Sequence, residues 1–263
     1  MTLSLQVAAC YEGDNQALPW RGTQITSADE FDTYLRGPVK ARLGDSEPGQ
    51  TFEEDLRALA ATDMGISTVA QLLRATVAPL DWEVGEAVAE CLLRDEYEVV
   101  WPWNEERDQK TPRASLPGAD LVGFVGTDDD ALLLFGEVKT SSSPSCPPNV
   151  LNGRTGLIVQ IDELAKKQQI HRSLVKWLHA RCKGTEFWPT YQSATRKYLE
   201  SGGREMVLVG ILLRDTPPNE LDLKSRARAL AASVSPPMRF RLDAWYLPRS
   251  CSAWVSVVTG GES

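Results

Sequence analysis

The feature that most constrains this chain is a set of four short apolar runs in its second two-thirds. They are YEVVW at 97–101, ADLVGFV at 119–125, LLLFGEVK at 132–139 and MVLVGILL at 206–213. None approaches the ~20 residues that span a bilayer. Their β-branched and aromatic content reads as strands. Around them lie stretches of helical periodicity. Residues 80–96 place Val84, Ala87, Val88, Cys91 and Leu92 on one face. A long helix is expected over 157–183, others over 190–200 and 220–232, and late strands over 239–247 and 252–258. From residue 80 the order is α-β-β-β-α-α-β-α-β-β, which predicts an α/β fold with helices covering a central sheet.

The first quarter is less informative. A short strand is expected within 3–9, and a helix over 28–42 interrupted near Gly37-Pro38. A loop follows over 43–51, then helices over 52–61 and 66–76. Residues 1–78 are therefore expected to form an N-terminal helical elaboration packed on a domain spanning 79–263, as one globular unit. At 263 residues and 42% hydrophobic, the chain can bury a sizeable core and is not mainly disordered. The start, MTLSLQVAACYEGDN, lacks a cationic segment followed by a long apolar core, so a cytoplasmic protein without a membrane partner is expected. Five scattered cysteines without a CxxC pair argue against a disulfide framework. Only two histidines, His171 and His179, are present, so any metal must rest on carboxylates, which points to hard ions such as magnesium or manganese.

The chemistry gathers between 119 and 139. Thr127, Asp128, Asp129 and Asp130 separate two apolar runs, the signature of a hairpin. If Gly126 pairs with Ala131, Asp120 falls opposite Glu137, with Cβ atoms about 5 Å apart on one face. Lys139, two residues on, shares that face. A one-residue slip would undo the arrangement. Two carboxylates so close repel unless a positive group sits between them, and a divalent cation is a natural one. Lys139 would orient an attacking water or stabilise the charge of the transition state. A third carboxylate comes from the 80–96 helix. Glu86 shares a second apolar face with Trp82, Ala89 and Leu93, whereas Glu83 and Glu90 fall nearer the polar flank. A carboxylate on an apolar face needs a partner, which a metal or Lys139 would supply. Glu86 is therefore preferred to Glu90.

The run Leu116-Pro117-Gly118-Ala119-Asp120, then sixteen residues, then Glu137-Val138-Lys139 resembles the signature of the PD-(D/E)xK nuclease superfamily, which includes restriction endonuclease-like and RecB-like nucleases. Glu86, in Val84-Gly85-Glu86-Ala87, matches the helix glutamate of many members. One departure is that the proline stands three positions before Asp120. The matched core covers roughly residues 80–213. Within the superfamily the layout is most similar to the nuclease subunit of Hachiman-type anti-phage defence systems. The resemblance implies a restriction endonuclease-like mixed central sheet flanked by helices. It implies a Mg2+- or Mn2+-dependent DNA nuclease with Asp120, Glu137, Lys139 and Glu86 as catalytic residues, and Asp120, Glu137 and Glu86 as metal ligands. It also implies a bacterial defence effector restrained or delivered by a regulatory partner such as a helicase-like subunit. The alternatives are a non-catalytic interaction subunit and a nuclease acting on RNA or tRNA.

Charge adds a weaker signal. Residues 1–139 carry −15 and residues 140–263 carry +7, within a net charge of −8. Lys166, Lys167, Arg172 and Lys176 lie in a stretch, 165–183, without an acid, and are candidates for nucleic-acid backbone contact. A solvated helix face is the plain alternative. Gln160, ahead of Gln168, is a candidate for a glutamine that assists the site in some RecB-like members. Trp101 and Trp103 would pack, or stack on a base. The loop 140–155 after Lys139 would gate substrate or form an irregular connection. No role is expected for the two histidines.

Overall fold

A computed structural model describes residues 5–14, 18–44, 46–74, 78–102 and 118–261. Most of the expected 102–118 loop, with Trp103, Leu116 and Pro117, lies outside the described residues. Among the described residues seven strands form one mixed sheet: β1 Val7–Asp14, β2 Pro19–Ile25, β3 Val99–Val100, β4 Leu121–Val125, β5 Leu132–Ser141, β6 Met206–Arg214 and β7 Arg239–Tyr246. Their spatial order is β1-β2-β7-β6-β5-β4-β3. The centre, β2-β7-β6-β5, is parallel, and both edges are antiparallel. Parallel neighbours need long crossovers. Helices α6 Leu157–Lys166, α7 Gln168–Cys182 and α8 Trp188–Glu200 join β5 to β6, and α9 Lys224–Ala231 joins β6 to β7.

Helices cover both faces, which is why the central strands are apolar nearly throughout. On one face Leu133, Phe135, Leu208, Leu212 and Leu242 pack against Ile161, Leu174, Leu178 and Ala194 of α6, α7 and α8. On the other, Leu134, Val138, Val209, Ile211 and Leu213 meet Val84, Val88 and Leu92 of α5, Asp81–Tyr97. Phe31, Leu35, Trp254 and Val257 complete that second core.

Several expectations change. The N-terminal quarter is not only helical: β1 and β2 extend the central sheet, with Trp20 beside Leu242 and Thr23 beside Trp245. The 28–42 helix is not interrupted. α1 Ala28–Tyr34 runs into a π-helical turn, Leu35–Val39, that carries Gly37-Pro38, and continues as α2 Lys40–Leu43. Proline lacks an N–H and crowds the carbonyl four residues back, so a widened turn accommodates it. The 157–183 stretch is two helices, broken at Lys167, whose ψ is 91°. The 252–258 run is not a strand but a 3-10 turn, Cys251–Ala253, leading into helix α10, Trp254–Thr259. Burial of Trp254, Val257 and Val258 at helical spacing overrides the β-branched local preference. Helices α3 Ser46–Leu59 and α4 Asp63–Arg74 bury no described side chain, and Leu59 and Met64 are 79% and 81% exposed.

Candidate active site

The β4–β5 turn sets the site. Its register runs unbroken from Val125↔Leu132 to Leu121↔Gly136. One further step places Asp120 opposite Glu137, the register expected from the turn length. Alternation sends Asp120, Glu137 and Lys139 toward the face that carries Phe124, Leu133 and Phe135. The Lys139 ammonium lies 3.3 Å from Asp120 Oδ2 and 3.2 Å from Glu137 Oε2. The Val138 N–H donates to the same Asp120 oxygen at 2.9 Å, which fixes the carboxylate at the strand end.

Glu137 is only 2% exposed. Burial, and then the adjacent Asp120 carboxylate, raise its pKa to about 8 although Lys139 pulls it down. Lys139 supplies the positive charge that two opposed carboxylates require, and a hard divalent cation, which takes one or two carboxylates and fills its remaining positions with water and phosphate oxygens, would have to displace the ammonium to bind both.

Glu86 reaches this region from the other side. α5 covers the face of Leu134 and Val138, and Gly85 sits so close to the strand end that a Cβ there would lie 2.8 Å from Thr140 Oγ1. Glu86 is half-buried and lines the same cleft as Asp120 and Lys139. It does not complete a triad: among the described residues no three His, Cys, Asp or Glu side chains form a metal-binding group. Glu83 and Glu90 are not on a polar flank. Both are buried, Glu83 accepting from the Leu80 N–H at 2.6 Å and Glu90 pairing with Arg42. α5 is enclosed on more sides than its apolar spacing suggests.

The cleft encloses about 590 Å³, lined by Asp81, Trp82, Glu86, Asp120, Lys139 and the hydroxyl-bearing run Thr140, Ser141 and Ser142, with Cys251 and Ser252 closing it. The serines follow Lys139 directly and were within reach of sequence reasoning. Nothing in the sequence signals Cys251 and Ser252, which arrive from the C-terminal turn.

Glu137 does not line this cleft, and neither do the remaining candidates. Lys166 and Lys167 pair with Asp162 and Glu163 one helical turn back, both at 2.6 Å. Arg172 and Lys176 are exposed on α7. The Gln160 carboxamide oxygen is buried without a hydrogen-bond partner among the described residues. Trp101 packs, its indole N–H donating to the Glu90 carbonyl at 2.9 Å. His171 has a structural task. Its Nε2 meets the Leu164 carbonyl at the frayed end of α6, and its Nδ1 lies 2.9 Å from the Tyr198 hydroxyl. A carbonyl only accepts, so Nε2 donates and Nδ1 accepts from the tyrosine. No family model matches the chain, and no curated protein matches it.

Proposed function

We propose that this chain is a divalent-cation-dependent phosphodiesterase that cleaves DNA, with the restriction endonuclease-like architecture its Asp120…Glu137-x-Lys139 resemblance implies. One observation supports the reading above others: the hairpin register brings Asp120, Glu137 and Lys139 together, with Asp120 and Lys139 on the cleft wall and Glu137 buried beside them. Asp120 and Glu137 would hold Mg2+ or Mn2+, with Glu86 assisting from the cleft wall. A bound cation supplies Lewis acidity, lowering the pKa of water and neutralising charge on the phosphate. Lys139 orients the attacking water by hydrogen bonding and offsets negative charge at the phosphorus. Water attacks in line, its oxygen bonding to phosphorus as the P–O3′ bond breaks; the attacking water gives up a proton to solvent, and the 3′ oxygen takes one from solvent and leaves as a hydroxyl. The Val138 N–H keeps Asp120 in place.

A role as a bacterial anti-phage effector, restrained or delivered by a helicase-like partner, rests on the resemblance alone. So does the preference for DNA over RNA. The test is cleavage of supercoiled plasmid, linear DNA and a structured RNA with magnesium, manganese or EDTA. Wild type is compared with folded Asp120→Ala and Lys139→Ala chains. Metal-dependent DNA cleavage lost in both variants supports the reading. Cleavage confined to RNA changes the substrate. No cleavage, together with no manganese binding by calorimetry, sinks the catalytic assignment in favour of an interaction subunit.

A further inference from the structure

The loop after Lys139 is clasped rather than loose. β6 ends in Arg214, Asp215 follows it, and both reach back to the loop. Arg214, 0% exposed and paired with Asp222 at 2.8 Å, donates to the carbonyls of Ser143 and Ser145. Asp215 joins two segments far apart in sequence. A single carboxylate oxygen accepts the Ser142 hydroxyl at 2.7 Å and the Cys251 backbone N–H at 2.8 Å. Ser142 and Cys251 both line the cleft, as do their neighbours Ser141 and Ser252. The acidic side of that cleft is Asp81, Glu86 and Asp120, so this side carries its neutral donors.

The hydrogen-bond directions sort the hydroxyls. Ser142 gives its proton to Asp215 and is a strut. Ser141 Oγ accepts from the Ser143 N–H, which leaves its own proton free to be donated. Ser252 shares a hydrogen with Ser250, 2.9 Å away, and can turn its own outward. Neutral hydroxyls at a fixed position suit a backbone phosphate, which most nucleic-acid contacts address.

We infer that Asp215 is a positioning residue for nucleic-acid binding. By tying the strand end after Lys139 to the 250–253 turn, it holds Ser141 and Ser252 where they take a phosphate adjacent to the one being cleaved. The substrate assignment rests on the proposed nuclease reading; the clasp does not.

Full-length wild type, Asp215→Ala and Asp215→Asn are compared in three measurements. These are maleimide labelling resolved for each cysteine by mass spectrometry, KM and kcat for an oligonucleotide, and Mn2+ affinity. Cys251 is 9% exposed and sits on the clasp; since burial and Asp215 both hold its thiol pKa up, labelling rates are corrected for each chain's measured Cys251 thiol pKa, and the corrected rate reports opening. Loss of the shared acceptor in Asp215→Ala raises both the Cys251 labelling rate and KM about tenfold, with kcat and Mn2+ affinity unchanged. Asp215→Asn keeps an acceptor oxygen and restores both. Unchanged Cys251 labelling in Asp215→Ala overturns the clasp. A fall in kcat and Mn2+ affinity at constant KM overturns the phosphate role. A wild type that cleaves neither DNA nor RNA overturns the nuclease reading and the phosphate role with it, while the labelling rates still decide the clasp.

Discussion

Glu137 is charged only against resistance. Its surroundings raise its pKa from an ordinary 4.5 to about 8 by burial and by Asp120. A carboxyl whose folded pKa exceeds its unfolded one binds the proton more tightly when folded. Its contribution is therefore fully present below the unfolded value and is lost as pH rises through the folded one. In EDTA, the urea midpoint of the wild type falls between roughly pH 4.5 and pH 8. Glu137→Gln flattens this slope and is the more stable chain at pH 9, with little difference at pH 4. Equal midpoints at pH 9 would remove Glu137 as the source. On the proposed nuclease reading, Lys139→Ala is expected to separate binding from chemistry, with cleavage falling about 100-fold or more while Mn2+ still binds, whereas Asp120→Ala is expected to lose the cation. The positions of Asp120, Glu137 and Lys139 were legible because a four-residue turn fixes register locally. Asp215 was not, because its partners stand 73 and 36 residues away.

At the scale of elements, β5 is held where two backbones meet. A Cβ on Gly136 would come within 2.5 Å of the Val209 carbonyl oxygen in β6, and neither backbone can yield easily. Gly136→Ala is expected to cost about 1–3 kcal/mol in urea unfolding. It also weakens Mn2+ binding, since Glu137 is the next residue. The exposed helices α3 and α4 predict the opposite. Leu59→Asp, at a side chain 79% exposed, changes stability by less than about 0.5 kcal/mol in the same assay. Long, strongly patterned elements were readable, as α5, β5 and β6 show. α10 was misread because its Val255, Val257 and Val258 favour strand locally, while in the fold Trp254, Val257 and Val258 are buried at helical spacing against α5 and the π-helical turn, with the Phe31 and Trp254 rings 6.2 Å apart. The break at Lys167 had no sequence punctuation. There the His171 ring folds back onto the Leu164 carbonyl, a contact that the tertiary structure supplies.

Across the whole molecule, charge is uneven, and α7 is the exposed basic element nearest the question of substrate. Arg172 and Lys176 project to solvent while Lys166 and Lys167 are offset by acids. If α7 tracks a nucleic-acid backbone, Arg172→Ala with Lys176→Ala weakens DNA binding similarly for all sequences. The double variant also lowers the slope of log affinity against log salt by about 2. An unchanged slope would leave α7 a solvated face.

The sequence alone determined the mixed α/β class, the strands that carry the site and the face shared by Asp120, Glu137 and Lys139. These follow from local hydrophobic spacing and a short turn, which act over a few residues. Tertiary structure alone decided that β1 and β2 join the sheet, since parallel pairing with β7 links residues 20–24 to 242–246. It decided that Glu86 approaches from the opposite face, because the packing of α5 settles that, not its periodicity. It also decided that Asp215 and the 250–253 turn close the cleft. Such contacts form only when distant segments are buried together, and no local pattern of residues encodes them.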